Sequence, residues 1–487
     1  MLTSPISSVL LPFWLDVSNH ANAIRLHCRP VYLTCTAARS RSSSFTWSSG
    51  GGTFELTGAA LNKALQYAPT NGMPELTKWL SALQKKMHAP SGNESLSHDI
   101  LITPGSQDGL CKIFEMILNP GDSIVLEEPS YPGTLAGLRP FDLKYISVET
   151  DGGGMRVDSL ERAMSKWSPA DALNPASDIP KLIYLQPSSS NPTGVAIAPE
   201  RRLPILQIAK KYDMLVIEDD PYYYLNFAKE FPRSFLSLDN DGRVLRLDSF
   251  SKVLSSGLRL GFVTGPKPLV DRVALHLQVS SMHCSSLSQT LAFQLLNQWG
   301  VDGFLAHARG VADFYRSQCE HMLAAANKHL KGLADWNVPT GGMFLWLKAR
   351  GIADTFGLIS EKALAKQVVL VPGNAFYADD AAPSPFLRAS FSSVSPAQMD
   401  EPAPAFVARR DSAVTTRGGA GAKLNAFDST ASGRLCLSLC CCWSVGDSRS
   451  AASTSPTYAD FVRLCCSYFY AWMSRLVVGL AVVRSRC

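Results

Sequence analysis

Between residues 100 and 264 the chain alternates short apolar runs with amphipathic ones, and this alternation restricts the fold more than any other property of the sequence. Residues 100–103, 124–126, 181–185, 215–219 and 260–264 are short and largely apolar and read as strands, and 243–248 is strand-like. Leu110, Ile113, Phe114 and Ile117 recur at helical spacing between two of them, as do the apolar residues of 199–212. Leu76, Leu80, Leu83 and Met87 do the same ahead of the first strand, beginning beside Pro74, a residue suited to a first helical turn. Strands that alternate with helices imply an α/β domain whose mainly parallel sheet is covered by helices on both faces.

In such a sheet, ligands collect beyond the carboxyl ends of the strands. Ser106, Tyr131, Asn191, Asp219 and Lys252 all fall at or just past such ends. Lys252 lies beside the hydroxyls of Ser249 and Ser251 and seven residues before Arg259. An amine can form an imine with a phosphorylated aldehyde, while hydroxyls and a guanidinium hold the phosphate. Ser106 follows Gly105 where a strand passes into a helix, and unpaired amides at a helix start attract anions. Each residue also has an ordinary structural reading. Asn191-Pro-Thr-Gly194 is a turn sequence, Asp219-Asp-Pro221 can cap the next segment, and Tyr131 can be core. Their shared place at one sheet edge favours a site.

Composition excludes several classes. The chain has 487 residues, 46% hydrophobic and 18% charged, which fits two or three globular domains and excludes general disorder. Its formal charge of +5 comes from the ends: residues 51–402 hold 32 basic and 36 acidic side chains, so no nucleic-acid surface is implied. Seven of the twelve cysteines lie after residue 435, without a nearby histidine or a Cys-x-x-Cys pair, so no metal site is expected. Cys111, Cys284 and Cys319 are dispersed thiols that suit a reducing compartment. The apolar stretch 464–483 is interrupted by Arg475, leaving neither half near the ~20 residues of a membrane span, and no membrane partner is expected.

Asn191-Pro-Thr-Gly194, Asp219-Asp-Pro-Tyr222 and Ser249-Phe-Ser-Lys252 followed by Gly257-Leu-Arg259 resemble the signature of pyridoxal-phosphate-dependent class I aminotransferases of fold type I. More narrowly, Tyr67-Ala-Pro-Thr-Asn-Gly72, Glu218-Asp-Asp-Pro-Tyr-Tyr223, Ser255-Ser-Gly-Leu-Arg259, Pro372-Gly-Asn-Ala-Phe-Tyr377 and 384–392 resemble the kynurenine/2-aminoadipate branch. The resemblance implies pyridoxal 5'-phosphate as cofactor, with Lys252 as covalent anchor and proton carrier. It implies that Asp219 pairs with the pyridine nitrogen, which keeps the ring an electron sink. Asn191 and Tyr222 would bond the ring's phenolic oxygen, and Tyr131 would stack on the ring. Ser106, Gln107, Ser249, Ser251 and Arg259 would hold the phosphate, with Tyr67 reaching across a homodimer whose subunits share active sites. Arg388 would grip the α-carboxylate of amino acid and 2-oxo acid substrates, for which a planar fork is suited.

The implied activity is amino transfer from 2-aminoadipate, kynurenine or aromatic amino acids to 2-oxoglutarate by a ping-pong cycle. The alternatives are a broader aromatic or branched-chain aminotransferase, a carbon–sulfur lyase of the same fold, or an inactive relative. Expected domains are a cofactor-binding domain over 54–270 and a smaller α+β domain over 271–400, with helices near 287–299 and 302–330 and a strand at 341–346. Residues 1–50 and 402–487 lack the family's pattern. The first reads as a transit-like segment or a mistaken start and the second as a disordered Ser/Cys/Arg-rich tail, with incorrect exon prediction or a functional extension as alternatives. The compartment is cytoplasmic or mitochondrial on these grounds.

Overall fold

The computed structural model describes residues 24–28, 31–38, 44–49, 52–88, 98–365 and 368–401. The tail from 402 and the first 23 residues lie outside them. Four strands, β1 (Ile24–Cys28), β2 (Val31–Ala38), β3 (Ser44–Ser49) and β4 (Gly52–Leu56), form an antiparallel meander. The sequence reading placed no regular structure before Phe54. The β-branched and aromatic residues Val31, Tyr32, Thr34 and Thr36 favour extended backbone there, although no clean alternation announces it.

Eight strands make the main sheet: β5 (His98–Thr103), β6 (Ser123–Glu128), β7 (Lys144–Asp151), β8 (Gly154–Met155), β9 (Leu182–Leu185), β10 (Leu215–Asp219), β11 (Val244–Ser249) and β12 (Gly261–Pro266). Their order is β5-β12-β11-β10-β9-β6-β7-β8. The pairs from β11 across to β7 are parallel, whereas β12 runs antiparallel to both β11 and β5. The carboxyl ends of β5, β6, β9, β10 and β11 therefore share one edge.

Successive strand residues point to opposite faces. Leu182, Ile217, Leu245 and Leu247 join Leu110, Ile113, Phe114 and Leu277 in one buried cluster. Ile183, Val216 and Val244 join Leu160, Met164, Ile205 and Ala209 in another. The first cluster is built on helices Ser106–Ile117 and Lys267–Ser280, the second on Val157–Met164 and Pro199–Lys211. Both faces of the sheet are thus covered, as the alternation predicts. Strands β7 and β8 and the helices Val157–Met164 and Lys267–Ser280 were not read from the sequence. Lys267–Ser280 carries the chain across residue 270 without a break.

Arg246 lies on β11 and is fully buried among three carboxylates. Its guanidinium is 3.1 Å from Glu218 and 3.2 Å from Asp220, and donates twice to Asp248 at 2.8 and 3.0 Å. The ring of Tyr223 lies 4.7 Å away. Glu218 also accepts the amides of Phe235 and Leu236, at 2.9 and 3.0 Å. A buried charge persists only when paired and hydrogen-bonded, and each member here is.

Beyond the main sheet, helix Ser286–His329 is interrupted at Gly300, whose φ of 64° breaks the helical path between the two expected stretches. A second antiparallel sheet follows, of β13 (Ala334–Trp336), β14 (Phe344–Ala349), β15 (Val371–Pro372) and β16 (Phe386–Ser390), in the order β13-β14-β16-β15. The strand read at 341–346 begins three residues later, because Gly342 (φ 70°) sits in the turn before it. No helix among the described residues is long and apolar enough to cross a membrane.

Candidate active site

Five strand ends deliver the candidate residues to one edge of the main sheet. β5 leads through Gly105 to Ser106 and Gln107, β6 to Tyr131, β9 to Asn191, β10 ends on Asp219, and β11 ends on Ser249 just before Ser251 and Lys252. Loop contacts fix these ends against one another. Gln107 Nε2 donates to the Gly133 carbonyl at 3.0 Å, tying the helix start to the Tyr131 loop. The amide of Ser130 donates to the Phe376 carbonyl at 2.8 Å, tying that loop to the segment before β16.

One side of the site is suited to an anion. Gly105 has φ 87°, and a Cβ there would lie 2.5 Å from Arg259 Nη2. The guanidinium therefore sits against the first turn of helix Ser106–Ile117. A cation beside the positive end of a helix is unfavourable unless an anion lies between them. Arg259 Nη1 donates to Ser251 Oγ at 3.2 Å, and Ser249 Oγ accepts the Ser251 amide at 3.2 Å, so three of the five expected phosphate ligands are joined beside the helix start that carries Ser106 and Gln107. Gly261 makes the close approach possible. Its Cβ would meet the Ser106 nitrogen at 2.5 Å, the Gly105 carbonyl carbon at 2.7 Å and the Asp248 oxygen at 2.8 Å. These are backbone atoms that cannot swing aside. Gly261→Ala is expected to destabilise the fold by about 1–3 kcal/mol. Chemical denaturation would show a lower midpoint at unchanged slope; an unchanged midpoint would show the approach is not needed.

The opposite side centres on Asp219, which is buried. Its Oδ2 accepts the Tyr184 hydroxyl at 2.7 Å and Gln186 Nε2 at 3.3 Å. Its Oδ1 is buried with no hydrogen-bond partner among the described residues. Burial pushes the carboxyl up to about 6, against the hydrogen bonds of Tyr184 and Gln186, which pull it down. A buried, half-satisfied carboxylate calls for a donor, and a protonated ring nitrogen would supply one. The phosphate cradle and this orphaned oxygen together fit pyridoxal phosphate.

Arg388, on β16, is buried between the rings of Phe344 at 4.2 Å and Phe376 at 5.2 Å. Its Nη1 donates to Asn191 Oδ1 at 2.7 Å. Asn191 is thus bound through its carbonyl end, which leaves its amide hydrogens for another acceptor. Tyr222 is buried with its ring edge-on to Phe344, centroids 5.9 Å apart. Tyr67 stands apart from this group. It is 81% exposed, with its ring edge against His283 at 5.8 Å.

Tyr184, Gln186, Phe344 and Phe376 were not singled out from the sequence. Tyr184 carried the only detectable signal, since a buried tyrosine hydroxyl in an otherwise aliphatic strand needs a partner. The aromatic pair around Arg388 comes from separate segments that only the second sheet brings together.

A mainly parallel sheet with an anion cradle, an orphaned carboxylate and a lysine at one edge defines a pyridoxal-phosphate transferase of fold type I. Residues 55–406 match the family "Aminotransferase class I and II", and the chain belongs to it. It is 52% identical over 344 residues to the kynurenine/alpha-aminoadipate aminotransferase, mitochondrial, of Bos taurus, covering 70% of this chain and 81% of that protein. The Rattus norvegicus protein of the same name is 50% identical over 365 residues, covering 74% and 85%. Among solved structures, the Pyrococcus horikoshii kynurenine aminotransferase is 30% identical with a TM-score of 0.64, covering 72% of this chain and 84% of that one. The chain is therefore an aminotransferase that uses pyridoxal 5'-phosphate.

Proposed function

We propose that this aminotransferase takes the amino group from 2-aminoadipate, kynurenine or aromatic amino acids and passes it to 2-oxoglutarate in two half-reactions. The observation that carries this reading is Arg388, a buried fork held by Asn191 and walled by two phenyl rings. A guanidinium so placed binds a carboxylate bidentately, and the apolar walls keep it desolvated and strong. Pyridoxal phosphate, when bound, supplies an electron sink that makes the substrate's α-hydrogen acidic.

The chain's own residues do the rest. Asp219 would hold the ring nitrogen's proton, and Asn191 and Tyr222 would donate to the ring's phenolic oxygen. Tyr131 would cover the ring face, and Ser106, the Gln107 amide, Ser249, Ser251 and Arg259 would hold the phosphate. Lys252 Nζ would anchor the cofactor covalently and, once released, would take the proton from the substrate α-carbon. The relatives named above support the substrate class, and their mitochondrial naming supports that compartment for this chain, to be checked by cell fractionation.

A homodimer with shared sites also belongs to this reading. It is supported by the exposed apolar side chains of Leu65, Tyr67, Leu275, Val279 and Met282, of which Val279 is 86% exposed. The two sheets likewise support a division into 54–270 and 271–400.

The test is the absorption spectrum of the purified protein with pyridoxal phosphate, before and after 2-aminoadipate. Loss of the cofactor's visible band on adding the amino acid supports the reading, and a band indifferent to 2-aminoadipate, kynurenine and aromatic amino acids refutes it. Arg388→Lys keeps the charge but loses the fork. Truncating a buried charge pair costs about 2–5 kcal/mol, so a fall in kcat/KM of about 10²-fold is expected, carried by KM. The cofactor spectrum should not change. A drop carried by kcat alone would remove Arg388 from substrate binding.

A further inference from the structure

Gln186 lies one residue past β9, is buried, and makes three hydrogen bonds that lead in different directions. Its backbone amide donates to Glu127 Oε2 at 2.9 Å, which fixes its position beside the end of β6. Its side-chain Nε2 donates to Asp219 Oδ2 at 3.3 Å. Its Oε1 accepts the backbone amide of Asn191 at 2.9 Å. Asn191 in turn accepts from Arg388 at 2.7 Å. A continuous chain, Asp219–Gln186–Asn191–Arg388, thus joins the carboxylate proposed for the cofactor's ring nitrogen to the guanidinium proposed for the substrate.

The chemistry of each end dictates an amide in the middle. A carboxylate only accepts and a backbone N–H only donates, so the bridging group must donate on one side and accept on the other. An ionised carboxylate cannot donate, and a thioether or alkyl chain does neither well. The three-bond arrangement also leaves no freedom to exchange the amide's nitrogen and oxygen, because that would set Oε1 against Asp219 and Nε2 against an N–H.

We infer that Gln186 is a positioning residue that couples the cofactor site to the substrate-carboxylate site. It holds Asp219 Oδ2 so that Oδ1 faces the ring nitrogen, and the same amide sets the backbone of Asn191, whose side chain orients Arg388. A ring nitrogen bound at Asp219 tightens the chain and presents Arg388 in register for a carboxylate. A carboxylate at Arg388 favours cofactor retention by the same factor, as linkage requires. The inference rests on the roles proposed above for Asp219 and Arg388.

The test uses the full chain, and its probes are pyridoxal phosphate and adipate, a dicarboxylate with no amino group to react. Dissociation constants for adipate are measured with and without the cofactor, and for the cofactor with and without adipate, by equilibrium titration of fluorescence or absorbance. In the wild type each probe is expected to bind more tightly in the presence of the other. Gln186→Met matches the side chain's length but supplies neither bond, and the mutual enhancement should fall by about 3- to 10-fold, the worth of one ordinary hydrogen bond.

Gln186→Glu adds a sign. When protonated it donates and accepts like the amide, and when ionised it repels Asp219. The other groups facing this place are Tyr184, Glu127, Asp220 and Asp248. They are present in both variants, so the ratio of enhancement in the Glu variant to that in the Met variant should rise from about pH 8 to about pH 6. A role confined to folding would lower thermal stability and leave the enhancement intact. An unchanged enhancement in the folded Met variant, or a flat pH ratio for the Glu variant, overturns the inference. Failure of the underlying reading would show separately, as a visible band that survives dialysis of the Lys252→Ala protein.

Discussion

Lys252→Ala is expected to leave a cofactor band that dialysis removes and to lower the amino-acid half-reaction by about 10⁴-fold or more. General acid–base catalysis alone is worth about 10²–10⁴-fold, and the variant also loses the covalent hold on the cofactor. Lys252 stands three residues past the end of β11, next to the cradle built by Ser249, Ser251 and Arg259. The alanine protein should therefore still bind the cofactor through its phosphate, but as a free aldehyde that dialysis removes. The measurement is an absorption spectrum before and after dialysis, with single-turnover kinetics on 2-aminoadipate. A variant that kept both band and turnover would dismiss Lys252 as the anchor, and with it the reading of the whole edge.

Asp219→Asn separates charge from shape. Asparagine fills the same space beneath Tyr184 and Gln186 but cannot hold a pyridinium proton. Losing one preorganised electrostatic partner costs about 10²–10³-fold in kcat, and a loss of this size is expected, with the folded state retained. The pH dependence supplies a second signature. Burial holds the Asp219 carboxyl up to about 6, so the protein without cofactor carries it protonated below that value. An acid whose pKa is raised on folding holds its proton more tightly folded than unfolded. Its contribution to stability is therefore greatest at low pH and declines as pH rises from its ordinary range toward 6. Pairing with a ring nitrogen needs the ionised form. Cofactor affinity should then weaken by up to about tenfold for each pH unit below about 6, beyond any effect of the cofactor's own phosphate. The asparagine protein retains the phosphate's dependence and lacks this additional slope. Equal pH profiles for the two proteins would rule out the pairing.

Six of the eight strands of the main sheet were legible because they are short, largely apolar and bounded by turn residues, and their common edge followed from the parallel pattern. The residues at that edge were legible because lysine, aspartate and asparagine are conspicuous at the ends of buried strands. What escaped depended on pairing. The hydrogen bonds of Tyr184 and Gln186 to Asp219 exist because β9 and β10 lie side by side with Leu185 opposite Glu218, a register no local pattern announces. The close approach of Gly261 to Ser106 exists because β12 inserts antiparallel between β11 and β5. Its glycine reads in isolation as a weak point in a strand. Arg388 was identified from its motif, but its aromatic walls were not, since Phe344 and Phe376 meet it only through pairing in the second sheet.

The ionic group at Arg246 has a consequence for how the interior can come apart. One guanidinium serves carboxylates from β10, from the residue after it and from β11, so neither strand can peel away alone. Separation of either would leave uncompensated charge in a dry interior, a cost of several kcal/mol before any water arrives. Small openings that begin at loops and chain ends are therefore barred from spreading strand by strand through the middle of the sheet. The segments that carry Asp219 and Lys252 open together, in one cooperative step, or not at all.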